Sequence, residues 1–197
     1  MKRLFLLLQL FFSFSLFSET FTEAGLTFCV NHYEDDYTEI SKELPSGEAI
    51  VCGLPSKIKN IKIPSKVSHE GKSYAVKEIF YASGVSIYKY GEELETVEIE
   101  NGVEKIGWNA FFQCERLKSI YIPDTCIEIN LDTGFPKTDA SGIHQYCNFE
   151  SITVSKNNPK YYSKDGILYE KKTSRILFVP ECNKAKNKLE EDFFYEK

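Results

Sequence analysis

Leu94-Glu-Thr-Val97-Glu-Ile99 and Leu117-Lys-Ser-Ile120-Tyr-Ile122 are one phrase written twice, 23 residues apart. Ile58-Lys-Asn-Ile61-Lys-Ile63 precedes the pair and Phe149-Glu-Ser-Ile152-Thr-Val154 follows it. A second phrase recurs between them, as Val76-Lys-Glu-Ile79, Val103-Glu-Lys-Ile106 and Cys126-Ile-Glu-Ile129. A period of about 20–29 residues is the signature of a solenoid, in which each unit is one coil. Alternating Ile120-Tyr121-Ile122 predicts a strand, with β-branched side chains turned inward and the residue between them outward.

One such coil cannot bury its own apolar face, so successive coils stack until their faces join into a continuous core. Four coils are legible, the last incomplete, and both ends then require caps. Residues 26 to 54 lack the phrase and read as short strands at Leu26 to Val30, Tyr37 to Ile40 and Ala49 to Cys52. The acidic turn Glu34-Asp35-Asp36 and Pro45-Ser46-Gly47 separate them. We read residues 19–53 as an N-terminal β cap covering the first coil's open edge, which left bare would invite aggregation. Cys29 and Cys52 fall in two of these strands and are candidates for a disulfide. Residues 54–182 form the array, and 183–197 a charged C-terminal tail or cap.

The units are similar to a known family. Leu94 to Leu117 reads LETVEIENGVEKIGWNAFFQCERL, and the next unit opens LKSIYIPDTCIEI. This resembles the BspA-like leucine-rich repeat, whose units carry an L-x-x-I-x-I-P strand followed by V-x-x-I-G-x-x-A-F-x-x-C-x-x-L. Ile106, Gly107, Ala110, Phe111 and Cys114 match the second half position by position. Asn158-Pro159-Lys-Tyr161 and Asp165-Gly166-Ile-Leu168-Tyr169 resemble the family's closing passage. The likeness covers roughly residues 54 to 182. Its departures are a missing Gly-x-x-Ala-Phe after Ile129 and an insertion ending near Cys147. The resemblance implies a mainly β leucine-rich-repeat solenoid with parallel strands on one face. It also implies an exported or surface protein that adheres to host or microbial partners.

The amino end sets the expected compartment. Met1-Lys2-Arg3 is basic and Leu4 to Phe17 is almost wholly apolar, too short to cross a bilayer comfortably. Residues 1–18 therefore read as a signal peptide cleaved near Ser18. Losing Lys2 and Arg3 takes the net charge from −5 to −7. Lysines are interspersed with acids and form no basic stripe, which excludes nucleic acid as a main partner. No later segment has the length and apolarity of an integral membrane span.

Catalytic phrases are absent. There is no G-x-S-x-G, P-loop or H-E-x-x-H, and no Cys/His group has zinc-ligand spacing, so neither cofactor nor metal is expected. The nearest approach to an enzyme is His144 and Cys147, which would serve a small thiol-dependent hydrolase. Cys147 falls on the repeat's cysteine position, however, where, like Cys114, it packs inside as an inert thiol.

Binding is the remaining expectation. The outward positions of the phrase are Asn60, Lys62, Thr96, Glu98, Ser119, Tyr121, Ser151 and Thr153, which would line one continuous strip. Such a strip can hold a surface protein or glycan, or be an ordinary solvated face. Trp108, at a variable position, is a hot-spot candidate if exposed and part of the packing if it lies over a neighbouring coil. The inserted loop from 130 to 146, with Asp132 and His144, is the other contact candidate, since insertions map to loops, often on the binding side. A scaffold module without a ligand of its own is the alternative.

Overall fold

The computed structural model describes residues 19–35, 40–80, 91–107, 110–111, 114–130 and 148–186. Its elements are β-strands. The first five are β1 (Glu19–Glu23), β2 (Leu26–Val30), β3 (His32–Asp35), β4 (Ile40–Glu43) and β5 (Glu48–Gly53). The coils supply β6 (Asn60–Ile63), β7 (Lys66–His69), β8 (Lys72–Ile79), β9 (Thr96–Ile99), β10 (Lys105–Ile106), β11 (Ser119–Ile122), β12 (Glu128–Ile129) and β13 (Ser151–Val154). The chain then forms β14 (Tyr161–Lys164), β15 (Ile167–Glu170) and β16 (Ile176–Phe178).

Each repeated phrase becomes one strand of a parallel sheet, in the order β13-β11-β9-β6. Register follows the phrase. Ile61, Val97, Ile120 and Ile152 stand side by side, and so do Lys62, Glu98, Tyr121 and Thr153. The second phrase builds the opposite wall, where Ile79, Ile106 and Ile129 align across β8, β10 and β12. Between the walls lie Ile63, Val76, Ile99, Val103, Ile120, Ile122 and Ile152, all buried. Leu94, Leu117 and Phe149 occupy the first position of their phrases and are buried too, so phenylalanine takes leucine's place in the last coil. The family resemblance sets that coil apart as incomplete, yet its strand pairs in full with β11.

The amino-terminal strands extend the second wall. β1 pairs antiparallel with β2, β2 antiparallel with β5, and β5 parallel with β8. The cap therefore covers the first coil on the β8 side; among the described residues β6 pairs with β9 alone. Around that bare edge, Lys57, Lys59 and Lys62 are exposed, between Pro55 and Pro64. Lysine and proline are what natural sheets use to keep an edge from pairing with another chain. The expected strand at Leu26 to Val30 agrees with β2; the one at Ala49 to Cys52 lies inside the longer β5. Of Tyr37 to Ile40, only Ile40 belongs to the described residues, where it opens β4. Cys29 and Cys52 are disulfide-bonded, with Cα atoms 6.0 Å apart, and cross-link β2 to β5.

At the far end β14 and β15 form a hairpin across Asp165-Gly166, and β16 joins it. Both turn residues have positive φ, 52° and 79°, as a two-residue hairpin of the primed type requires. Gly166 has a second reason to be glycine. A Cβ there would meet Asn183 Nδ2 at 2.7 Å and Ser151 Cβ at 2.9 Å. The turn thus presses against both the last coil strand and the following chain.

Candidate functional site

The outward strip is continuous. Asn60, Thr96, Ser119 and Ser151 form one row in register, and Lys62, Glu98, Tyr121 and Thr153 the other. The burial pattern in each strand alternates, so these side chains face solvent while their neighbours face the core. Between β9 and β13 the strip dips into an open depression of about 480 Å³, lined by Thr96, Glu98, Ser119, Tyr121 and Thr153 above Val97 and Ile120.

Its two halves differ chemically. In the first and second coils the polar groups satisfy one another. Thr96 Oγ1 donates to Asn60 Oδ1 at 2.6 Å. Lys62 Nζ lies 3.2 Å from Glu98 and 3.3 Å from Glu100, which together raise its pKa above the usual lysine value. Glu100 also accepts from the Ser65 backbone N–H at 2.9 Å, and that bond is the main reason its carboxyl titrates lower than usual. Glu100 lies just past β9, two residues beyond Glu98 and on the same face, and so also reaches Lys62. In the third and fourth coils the strip offers Ser119, Tyr121, Ser151 and Thr153. Tyr121 is 37% exposed, one of three large apolar side chains so exposed among the described residues.

Charges alternate along the stack as well. Glu95 lies between Lys59 at 3.0 Å and Lys118 at 2.6 Å. On the other wall Lys105 bridges Glu78 at 3.2 Å and Glu128 at 3.3 Å. Neighbouring coils thus meet with opposite charges at equivalent positions, which penalises a slip of one coil against the next. The Lys118 and Lys59 ammonium groups hold Glu95 down to a pKa of about 2. Because this folded-state pKa is depressed, the stability it contributes is present above the ordinary value of about 4.5. It is lost as pH falls toward 2. A carboxyl titration by NMR should find the Glu95 midpoint near 2, and Lys118→Met should move it upward; an unshifted wild-type midpoint would dissolve the ladder.

The thiols of the core are unreactive. Cys114 and Cys126 are buried, and desolvation pushes both up to a pKa of about 12. A thiolate is therefore scarce at neutral pH, and Cys114 is packed inward as the repeat pattern requires. Trp108, Asp132, His144 and Cys147 lie outside the described residues. The expectations resting on them, the 130–146 loop included, are neither joined to the strip nor separated from it.

The sequence profile of the BspA type leucine rich repeat region matches residues 84–189 in six copies, which is more than half of the chain. The chain belongs to that family. The first coil, at Ile58 to Ile79, precedes the matched span, yet β6 and β8 continue both walls without a break in direction. A comparison with curated protein sequences finds no significant match. Among solved structures, a leucine-rich repeat protein from Bacteroides ovatus is 23% identical with a TM-score of 0.44, over 67% of this chain and 28% of that one. The pneumococcal vaccine antigen PcpA is 14% identical with a TM-score of 0.30, over 84% of this chain and 57% of its own. A leucine-rich cell surface protein from Faecalibacterium prausnitzii is 16% identical with a TM-score of 0.28, over 82% and 62%. The chain thus spans between about a quarter and two thirds of these proteins.

Proposed function

We propose that this leucine-rich repeat protein is exported and binds a protein or glycan on a cell or matrix surface through the outward strip of β6, β9, β11 and β13. The observation that carries the reading is the contrast within the strip. Half of it is closed by its own ion pairs, while the other half sets the hydroxyls of Ser119, Ser151 and Thr153 around exposed Tyr121. Hydroxyls that are not committed elsewhere can give or take hydrogen bonds, and an exposed aromatic beside them supplies apolar contact at low entropic cost. Export is read from the leader-like residues 1–18. Among the described residues no helix is long and apolar enough to cross a membrane.

The test is a binding panel of glycans, matrix proteins and whole cells. Saturable binding to a member of the panel is expected. Tyr121→Ala should weaken it about tenfold or more, the loss typical of an aromatic anchor, with an unchanged circular dichroism spectrum. Lys62→Ala should alter its salt dependence more than its strength, because that lysine is already paired. Absence of saturable binding across the panel would remove the proposal and leave the repeat as a spacer.

A further inference from the structure

Where the first strand passes the β7–β8 hairpin, three side chains from two distant parts of the sequence converge. Glu19, His69 and Glu70 each bring a ligand atom within 4.8 Å of the other two. We infer that they form a site for a zinc-type divalent metal ion, one that ties β1 to the hairpin of the first coil. This site is independent of the binding strip, which lies on the other sheet.

The donor set is the first argument. Two carboxylates alone would be an ordinary acidic surface, but an imidazole nitrogen between them makes a mixed nitrogen and oxygen set. Borderline divalent ions prefer such a set over calcium or magnesium, which take oxygen. Spacing is the second. His69 Nε2 and Glu19 Oε1 are 3.8 Å apart. That separation lies within ion-pair reach, and the same two atoms are near enough to share one ion. Ligands of a tetrahedral zinc, with bonds of about 2.0–2.1 Å, stand about 3.3 Å from one another, a difference that exposed side chains can close.

Support from outside the three ligands is the third. The His69 ring stacks on Phe21 with centroids 4.1 Å apart and planes within 1°, which fixes its plane. Asn31 Nδ2 donates to the second oxygen of Glu19 at 2.6 Å, leaving Oε1 for the metal. Hydrogen bonds and packing of this kind orient the ligands of built metal sites. With three protein ligands, a fourth position stays open to water or to a further group. No local spacing announces the site, because Glu19 is 50 residues from His69.

The test uses the full chain, purified without a histidine tag and stripped with chelator. Zinc titration by calorimetry should find one ion per chain, and zinc should raise the melting temperature as a ligand of the folded state does. His69→Gln and Glu70→Gln should each weaken binding about tenfold or more and abolish the melting shift. Glu70 sits on an exposed turn, so its variant keeps the test independent of any disturbance to the Phe21 stack. Equal zinc affinity in wild type and in either His69→Gln or Glu70→Gln would overturn the inference, as would a folded wild type that takes up no zinc.

Discussion

Asn158→Leu is expected to lower the unfolding free energy by about 4 kcal/mol, far more than an average substitution. Asn158 is fully buried, and all of its side-chain hydrogen-bonding capacity is used. Its Nδ2 donates to the carbonyls of Pro123 at 2.7 Å and Cys126 at 2.8 Å, in the preceding coil. Its Oδ1 accepts from the backbone N–H of Lys160 at 2.9 Å and of Tyr161 at 2.8 Å, which shape the turn into β14. Leucine fills the space and supplies none of these partners, so four main-chain groups lose theirs together. Each such loss costs about 1 kcal/mol or more where water cannot replace the partner. Urea denaturation should show the midpoint moving sharply with little change in slope. Asn157→Ala is the control. Its side chain is exposed and donates from Nδ2 to Asp124 Oδ2 at a long 3.4 Å, so its cost should stay within about 0.5 kcal/mol. Equal effects from the two variants would show that Asn158 does not join the third coil to the closing hairpin.

Asn158 also marks where sequence reasoning stops. The strands of the first wall were legible because alternation puts Ile61, Val97, Ile120 and Ile152 inside, and the recurrence of the phrase sets them side by side. The outward strip followed from the same alternation. What the strip does within itself did not. Pairing of Lys62 with Glu98 follows from register, and Glu100, two residues on, shares that face; its anchoring by the Ser65 backbone N–H left no mark in the sequence. A buried asparagine was not foreseeable from composition, since asparagine is ordinarily exposed; the closing passage located it without giving its role. β1 was hidden for another reason. Glu19-Thr-Phe-Thr-Glu23 is mostly polar and adjoins an apolar leader, and its partner β2 is buried at every position rather than alternating. Long-range convergence, as of Glu19 with His69, leaves no periodic trace at all.

Breaking the Cys29–Cys52 disulfide, by Cys29→Ser with Cys52→Ser or by reduction, is expected to cost about 3 kcal/mol. The bond closes a loop with a sequence separation of 23. Cross-linking a loop of that size removes about this much freedom from the unfolded chain. The two sulfurs sit in a small apolar cluster with Ile50 and Phe80, so serine would add the burial of an unmatched hydroxyl. Reduction, which leaves that packing in place, isolates the first effect from the second. Because β5 is the strand that joins the cap to β8, the loss should begin at the cap. Hydrogen exchange in β1 and β2 should rise before that in β9 and β11, which are held by the stack on both sides. The same bond tests the compartment. Disulfides persist in oxidising surroundings and are rare in a reducing cytosol, so protein recovered from its natural location should carry Cys29 and Cys52 unreactive after denaturation without reductant. Reaction of both thiols would remove the staple from the cap and count against the proposed export.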